Sequence, residues 1–112
     1  MPIINTYYSS DAQKDICLKL VHNLKQEAAT LLSCGDITLE PSEVSVRLIE
    51  THPKGLISRG VEIEIFAHAF KERVEKQDEI CLKVREYLMK AAPELGDVRV
   101  WLMLAELGHS WE

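Results

Sequence analysis

Apolar residues along this chain follow two periods. Val44, Val46 and Leu48 alternate with Ser45 and Arg47, Val61, Ile63 and Ile65 alternate with Glu62 and Glu64, and Val98 to Leu104 repeats the pattern. Successive strand residues point to opposite faces, so each stretch predicts a strand with one strongly apolar face. Met1 to Tyr8 reads as a further strand at the head of the chain, with Pro2 directly behind Met1. Elsewhere the period is helical. Ile16, Leu20, Leu24, Ala28 and Leu31 form one stripe, widened by Cys17, Val21 and Leu32, while Lys14, Lys19, Lys25 and Glu27 stay outside it. Ser10-Asp11-Ala12-Gln13 reads as a capping box that starts this helix, with Gln13 reaching back, and Gly35 reads as its stop. A second helix is expected from about Lys71 to Ala92, with Val74, Cys81, Val84, Leu88 and Ala91 on one face and Pro93 ending it.

The segment from Asp36 to Glu43 carries Pro41, and Thr51 to Gly60 carries Pro53 and two glycines, so both read as loops; Leu107 to Glu112 is a short tail. The element order is therefore βαβ-βαβ. Gln13-Lys14-Asp15-Ile16-Cys17-Leu18-Lys19 is answered by Gln77-Asp78-Glu79-Ile80-Cys81-Leu82-Lys83, and Val44 to Leu48 by Val98 to Leu102. Two matches in the same order indicate an internal duplication, with repeats at about 2–50 and 61–106 within a single domain spanning 1–112. Because each strand has one apolar face, the expectation is an α/β (α+β two-layer) fold: one four-stranded sheet with two helices on one face. The opposite face would carry Arg47, Ile49, Arg99, Trp101 and Met103, and a Trp and a Met there point to burial against another subunit.

With 112 residues the chain is long enough for one core without metal or disulfide support. A net charge of -5 with no Lys/Arg cluster argues against nucleic acid or an anionic membrane as partner. No apolar run is long enough to span a bilayer, and the N-terminus lacks a signal peptide's regions, so the expectation is a cytoplasmic protein. Cys17, Cys34 and Cys81 are odd in number, which favours reduced thiols over a disulfide framework. His22, His52, His68 and His109 are scattered, without helical pairing or a CxxC, so no metal site is expected.

One residue has a chemistry the pattern does not explain. If Met1 is removed, Pro2 becomes a free secondary amine, and desolvation near apolar side chains lowers an amine's pKa toward the range of a useful general base. The plain alternative is a proline tolerated at the first position of a strand. Glu62 and Glu64 share a sheet face, where they line a wet channel or pair with Arg47 and Arg99.

With the leading proline and the duplication both in view, the chain resembles the tautomerase superfamily, which includes 4-oxalocrotonate tautomerase, 5-carboxymethyl-2-hydroxymuconate isomerase and macrophage migration inhibitory factor. Three places carry the resemblance: Pro2-Ile3-Ile4, the helix start Ser10-Asp11-Ala12-Gln13-Lys14, and Ser45-Val46-Arg47-Leu48-Ile49 followed by Lys54-Gly55. The second half matches in pattern and through the repeat, without a motif of its own. The resemblance implies a homotrimer with sheets lining the centre, and a cofactor-independent keto-enol tautomerase or isomerase of a small unsaturated keto or enol carboxylic acid. It implies Pro2 as the base that shuttles the proton and Arg47 as the residue that engages the substrate carboxylate. Where 4-oxalocrotonate tautomerase has an arginine before the first helix, this chain has Ser9; Arg73 stands at the equivalent point of the second half and is the candidate substitute, ahead of Lys71. Leu56 and Ile57 occupy the turn where an apolar wall to the site is expected.

The competing class is noncatalytic: an oligomeric partner, or a ferredoxin-like module that binds a small ligand, since βαββαβ is also that fold's element order. Strand order separates the two folds.

Overall fold

The computed structural model describes residues 2–55, 60–106 and 108. These residues form strands β1 (Ile3–Tyr8), β2 (Ser45–Glu50), β3 (Val61–His68) and β4 (Val98–Ala105), and helices α1 (Asp11–Leu32), α2 (Lys71–Glu75) and α3 (Gln77–Ala91). The four strands make one sheet in the order β2-β1-β3-β4. β1 and β2 are parallel, β3 and β4 are parallel, and the two pairs meet antiparallel between β1 and β3. Each βαβ unit therefore keeps its own two strands side by side, which overturns the ferredoxin-like alternative.

The alternation seen in the sequence sorts the two faces. Ile4, Val46, Ile65 and Leu102 lie on the face that meets the helices, as do Thr6, Leu48, Ile63 and Val100 one rung on. On the other face the register sets three rungs side by side: Ser45, Ile3, Phe66 and Met103; Arg47, Asn5, Glu64 and Trp101; Ile49, Tyr7, Glu62 and Arg99. From the helix layer Cys17, Leu24, Ala28 and Leu32 of α1 and Ile80, Val84 and Leu88 of α3 close the core. Thr6 is 3% exposed in this apolar layer, and its hydroxyl has no partner among the described residues.

The second helix departs from expectation. In place of one helix from Lys71 to Ala92, α2 stops at Glu75, Lys76 leaves the helical region (φ -107°, ψ 14°), and α3 begins at Gln77. Val74, expected on the apolar face, is 52% exposed, because the buried face runs through Arg73, Ile80, Val84 and Leu88 and leaves Val74 at its edge. Ala91 is likewise exposed, and Ala92 takes the buried place. The first helix begins as its sequence predicts: Ser10 Oγ accepts from the Gln13 amide at 3.2 Å. Gln13 reaches back one residue further than a capping box requires, its Oε1 accepting from the Ser9 amide at 2.8 Å. At the other end Ser33 caps the helix, and Gly35 follows with a φ of +53°. Gly60 at the start of β3 is required by close approach, since a Cβ there would sit 1.8 Å from the Asp97 carbonyl oxygen.

Candidate functional site

Pro2 heads β1, one of the two central strands. Its carbonyl accepts the Ser45 amide at 3.0 Å, the first hydrogen bond between β1 and β2. Continuing the register one step beyond Ile3 sets Pro2 between Val44 and Ala67, both almost fully buried, and Pro2 itself is under 2% exposed. With Met1 in place its nitrogen is an amide and has no basic lone pair; with Met1 removed it is a secondary amine in an apolar corner, where burial disfavours its charged form.

Arg73 is brought to the same end of the sheet. Its Nε donates to the Leu32 carbonyl at 2.8 Å and its Nη1 to the His68 carbonyl at 3.0 Å, with the guanidinium carbon 4.8 Å from the centre of the Phe70 ring. The first bond satisfies a carbonyl of the last turn of α1, where a cation also meets the negative end of the helix dipole. Only 4% of the residue is exposed, and burial pushes its guanidinium below its ordinary pKa, opposed by the neighbouring Cys34 thiol. The sequence offered Arg73 as a substrate-binding cation; it is buried on the helical face that also carries Ile80, seven residues on, and its Nε and Nη1 go to backbone carbonyls.

Arg47 stands elsewhere. It lies in the middle of β2 on the open face, opposite Asn5, and is exposed, with no ion pair or hydrogen bond among the described residues. Three residues of strand, about 10 Å, separate its rung from that of Pro2, and the two side chains leave opposite faces of the sheet. One chain does not bring them together. Ile57 and Leu56, expected as an apolar wall, lie outside the described residues.

The open face also holds a feature that the sequence did not flag. Tyr7 Oη donates to Glu64 Oε1 at 2.5 Å, and the carboxylate beside it pushes the phenol above its ordinary pKa. The pair borders a concavity of about 490 Å³ lined further by Thr51, Glu62, Trp101 and Met103. Its only sequence signal is that Tyr7 and Glu64 both occupy outward positions of their strands; the register that makes them neighbours is tertiary. Among the described residues no group of three or more His, Cys, Asp or Glu side chains is placed to hold a metal ion, and no helix is long and apolar enough to cross a membrane.

Two βαβ units joined antiparallel at the centre make a fold shared with solved structures of 4-OT, of a macrophage migration inhibitory factor-like protein and of malonate semialdehyde decarboxylase. No protein-family model and no curated protein matches the chain in sequence. Solved structures do match in shape. A fused wild-type 4-OT solved as an asymmetric trimer is 16% identical with a TM-score of 0.66, over 96% of this chain and 91% of that one. A macrophage migration inhibitory factor-like protein from Entamoeba histolytica is 17% identical with a TM-score of 0.62, over 97% and 95%. Malonate semialdehyde decarboxylase, solved to explain its decarboxylase and hydratase activities, is 13% identical with a TM-score of 0.61, over 93% and 84%. At these identities the likeness is one of fold.

Proposed function

We propose that this chain is a cofactor-independent keto-enol tautomerase or isomerase of a small unsaturated keto or enol carboxylic acid, with Pro2 as general base once Met1 is removed. The observation that carries the reading is the burial of Pro2 below 2% exposure at the head of a central strand, in a tautomerase fold. A buried amine is held toward its neutral form, so one nitrogen takes a proton from the enol oxygen or the acidic carbon and returns it to the other position within one turnover. The substrate carboxylate needs a cation. Arg47 is exposed and unpaired among the described residues, whereas Arg73 is buried with its Nε and Nη1 donating to backbone carbonyls, so Arg47 is the anchor, through two parallel hydrogen bonds. Because Pro2 and Arg47 leave opposite faces of the sheet, the anchor comes from a neighbouring copy, with Ile57 as apolar wall. A homotrimer supplies that geometry, and the fused 4-OT structures are trimers.

The test is a spectrophotometric assay with phenylenolpyruvate and 2-hydroxymuconate on Met1-free protein verified by mass spectrometry. Pro2→Ala is expected to lower the rate by roughly 10²–10⁴-fold, the usual worth of a positioned acid-base group. Arg47→Ala is expected to raise KM by about 10–100-fold, the loss of a charge-assisted contact. Undiminished turnover in Pro2→Ala would sink the reading.

A further inference from the structure

Glu64 is a carboxylate with one oxygen to spare in the middle of the open sheet face. Its Oε1 accepts the Tyr7 phenol at 2.5 Å, and its side chain makes no ion pair and no other hydrogen bond among the described residues. That bond and burial push the phenol above its ordinary pKa, so Tyr7 stays the donor and Glu64 stays charged. The cations placed nearest by register do not neutralise it. Arg47 shares its rung but lies two strands off, beyond Asn5, at about 10 Å. Arg99, one rung on, is drawn to Asp97, its Nε 3.5 Å from Oδ2. Asn5, the neighbour of Glu64 on the rung, adds an Oδ1 acceptor that has no partner among the described residues.

These groups belong to a cavity of ligand size. Tyr7, Glu62, Glu64, Trp101 and Met103 line the concavity of about 490 Å³, within the roughly 300–1,000 Å³ of small-molecule sites. Trp101 and Met103 give it an exposed apolar wall. Glu62, two residues from Glu64 on the same face and about 7 Å along β3, adds a second carboxylate. An indole beside a carboxylate suits a cation on an apolar stem, because the ammonium makes a charge-assisted hydrogen bond while the ring attracts charge and buries the stem. An acid meets two negative charges here, so the concavity does not suit the enol-acid substrate proposed above.

We propose that this concavity binds a protonated arylalkylamine, its ammonium on Glu64 Oε2 and its aromatic ring against Trp101 and Met103. Tyr7 is a positioning residue: by holding Oε1 it fixes the carboxylate and leaves Oε2 to the ligand. The binding is non-covalent and does not rest on the reading of Pro2 as the base.

The experiment follows the Trp101 indole N–H by NMR, identified by its loss in Trp101→Phe. Wild-type protein is titrated at neutral pH with phenethylammonium, with its neutral counterpart 2-phenylethanol and with the anionic 3-phenylpropionate. The amine is expected to shift the indole signal saturably and to bind about 10–100-fold more tightly than the alcohol, the worth of one charge-assisted hydrogen bond, while the acid does not bind. Glu64→Gln keeps an acceptor for the Tyr7 phenol and is expected to bring the amine down to the affinity of the alcohol. The wild-type comparison decides the matter if that variant does not fold. Equal affinity for amine and alcohol overturns the proposal, as does undiminished binding of the amine to Glu64→Gln. So does the absence of saturation at millimolar amine, the result expected if a neighbouring copy fills the recess.

Discussion

Cys17 and Cys81 occupy matching places in the two repeats, yet the packing treats them differently. Cys17 is 5% exposed under β2, and burial pushes its thiol from 9.0 to about 11; burial also raises Cys81, but the Leu102 backbone opposes the shift. A folded-state pKa raised above the unfolded value contributes stability that is complete below pH 9.0 and is lost as pH rises through about 11. Denaturant midpoints are therefore expected to hold up to pH 9.0 and then fall toward pH 11 more steeply in wild type than in Cys17→Ala. Iodoacetamide at pH 8, a pH at which thiolate controls the rate, is expected to modify Cys17 last of the three thiols by intact mass. Equal rates for Cys17 and the part-exposed Cys34 would contradict the burial. That three reduced thiols were to be expected is a matter of count; which is inert is a matter of packing.

The elements differ in how much of their ends they encode. The start of α1 is written locally, in Ser10 and Gln13, because a cap needs only residues three or four positions apart. Ser10→Ala leaves the Gln13 amide without its acceptor and is expected to lower stability by about 1 kcal/mol, read from urea unfolding; an unchanged midpoint would mean that water serves the amide equally well. The α2–α3 break has no such signature. Val74 and Ala91 continue a helical period in the sequence, and no Pro or Gly marks Lys76, so the pattern ran straight through. The break does not decide the burial: Arg73 lies two turns before Ile80, so the face that buries Ile80, Val84 and Leu88 takes Arg73 with it, and its Nε reaches the Leu32 carbonyl, 41 residues away in sequence.

For the whole molecule, the open sheet face is the unfinished surface. Trp101 and Met103 are 39% and 37% exposed, Met103 on the rung of Phe66 and Ile3 and Trp101 on the next, and the Asn5 Oδ1 atom is closed from solvent without a partner among the described residues. Such a face is costly in water and fits the proposed trimer, with copies packed sheet to sheet. Trp101→Glu is expected to convert the trimer to monomer in sedimentation experiments and to abolish turnover with it, since the proposed site takes Arg47 from a second copy. A monomeric wild type with full activity would refute that assembly.

The sequence by itself determined the strands, the first helix, the duplication and the face each strand turns inward, because these depend on periods of two and 3.6 that neighbours in the chain enforce on one another. It also put a proline behind Met1 and an arginine in the second strand. Only the tertiary structure decided that β1 pairs with its own β2 and meets β3 antiparallel, that Arg73 is buried against the Leu32 and His68 carbonyls, that Tyr7 bonds Glu64, and that Arg47 and Pro2 leave opposite faces. Each of these is a contact between segments tens of residues apart, set by register and by where burial leaves room, and alternation along one strand carries no record of its neighbour.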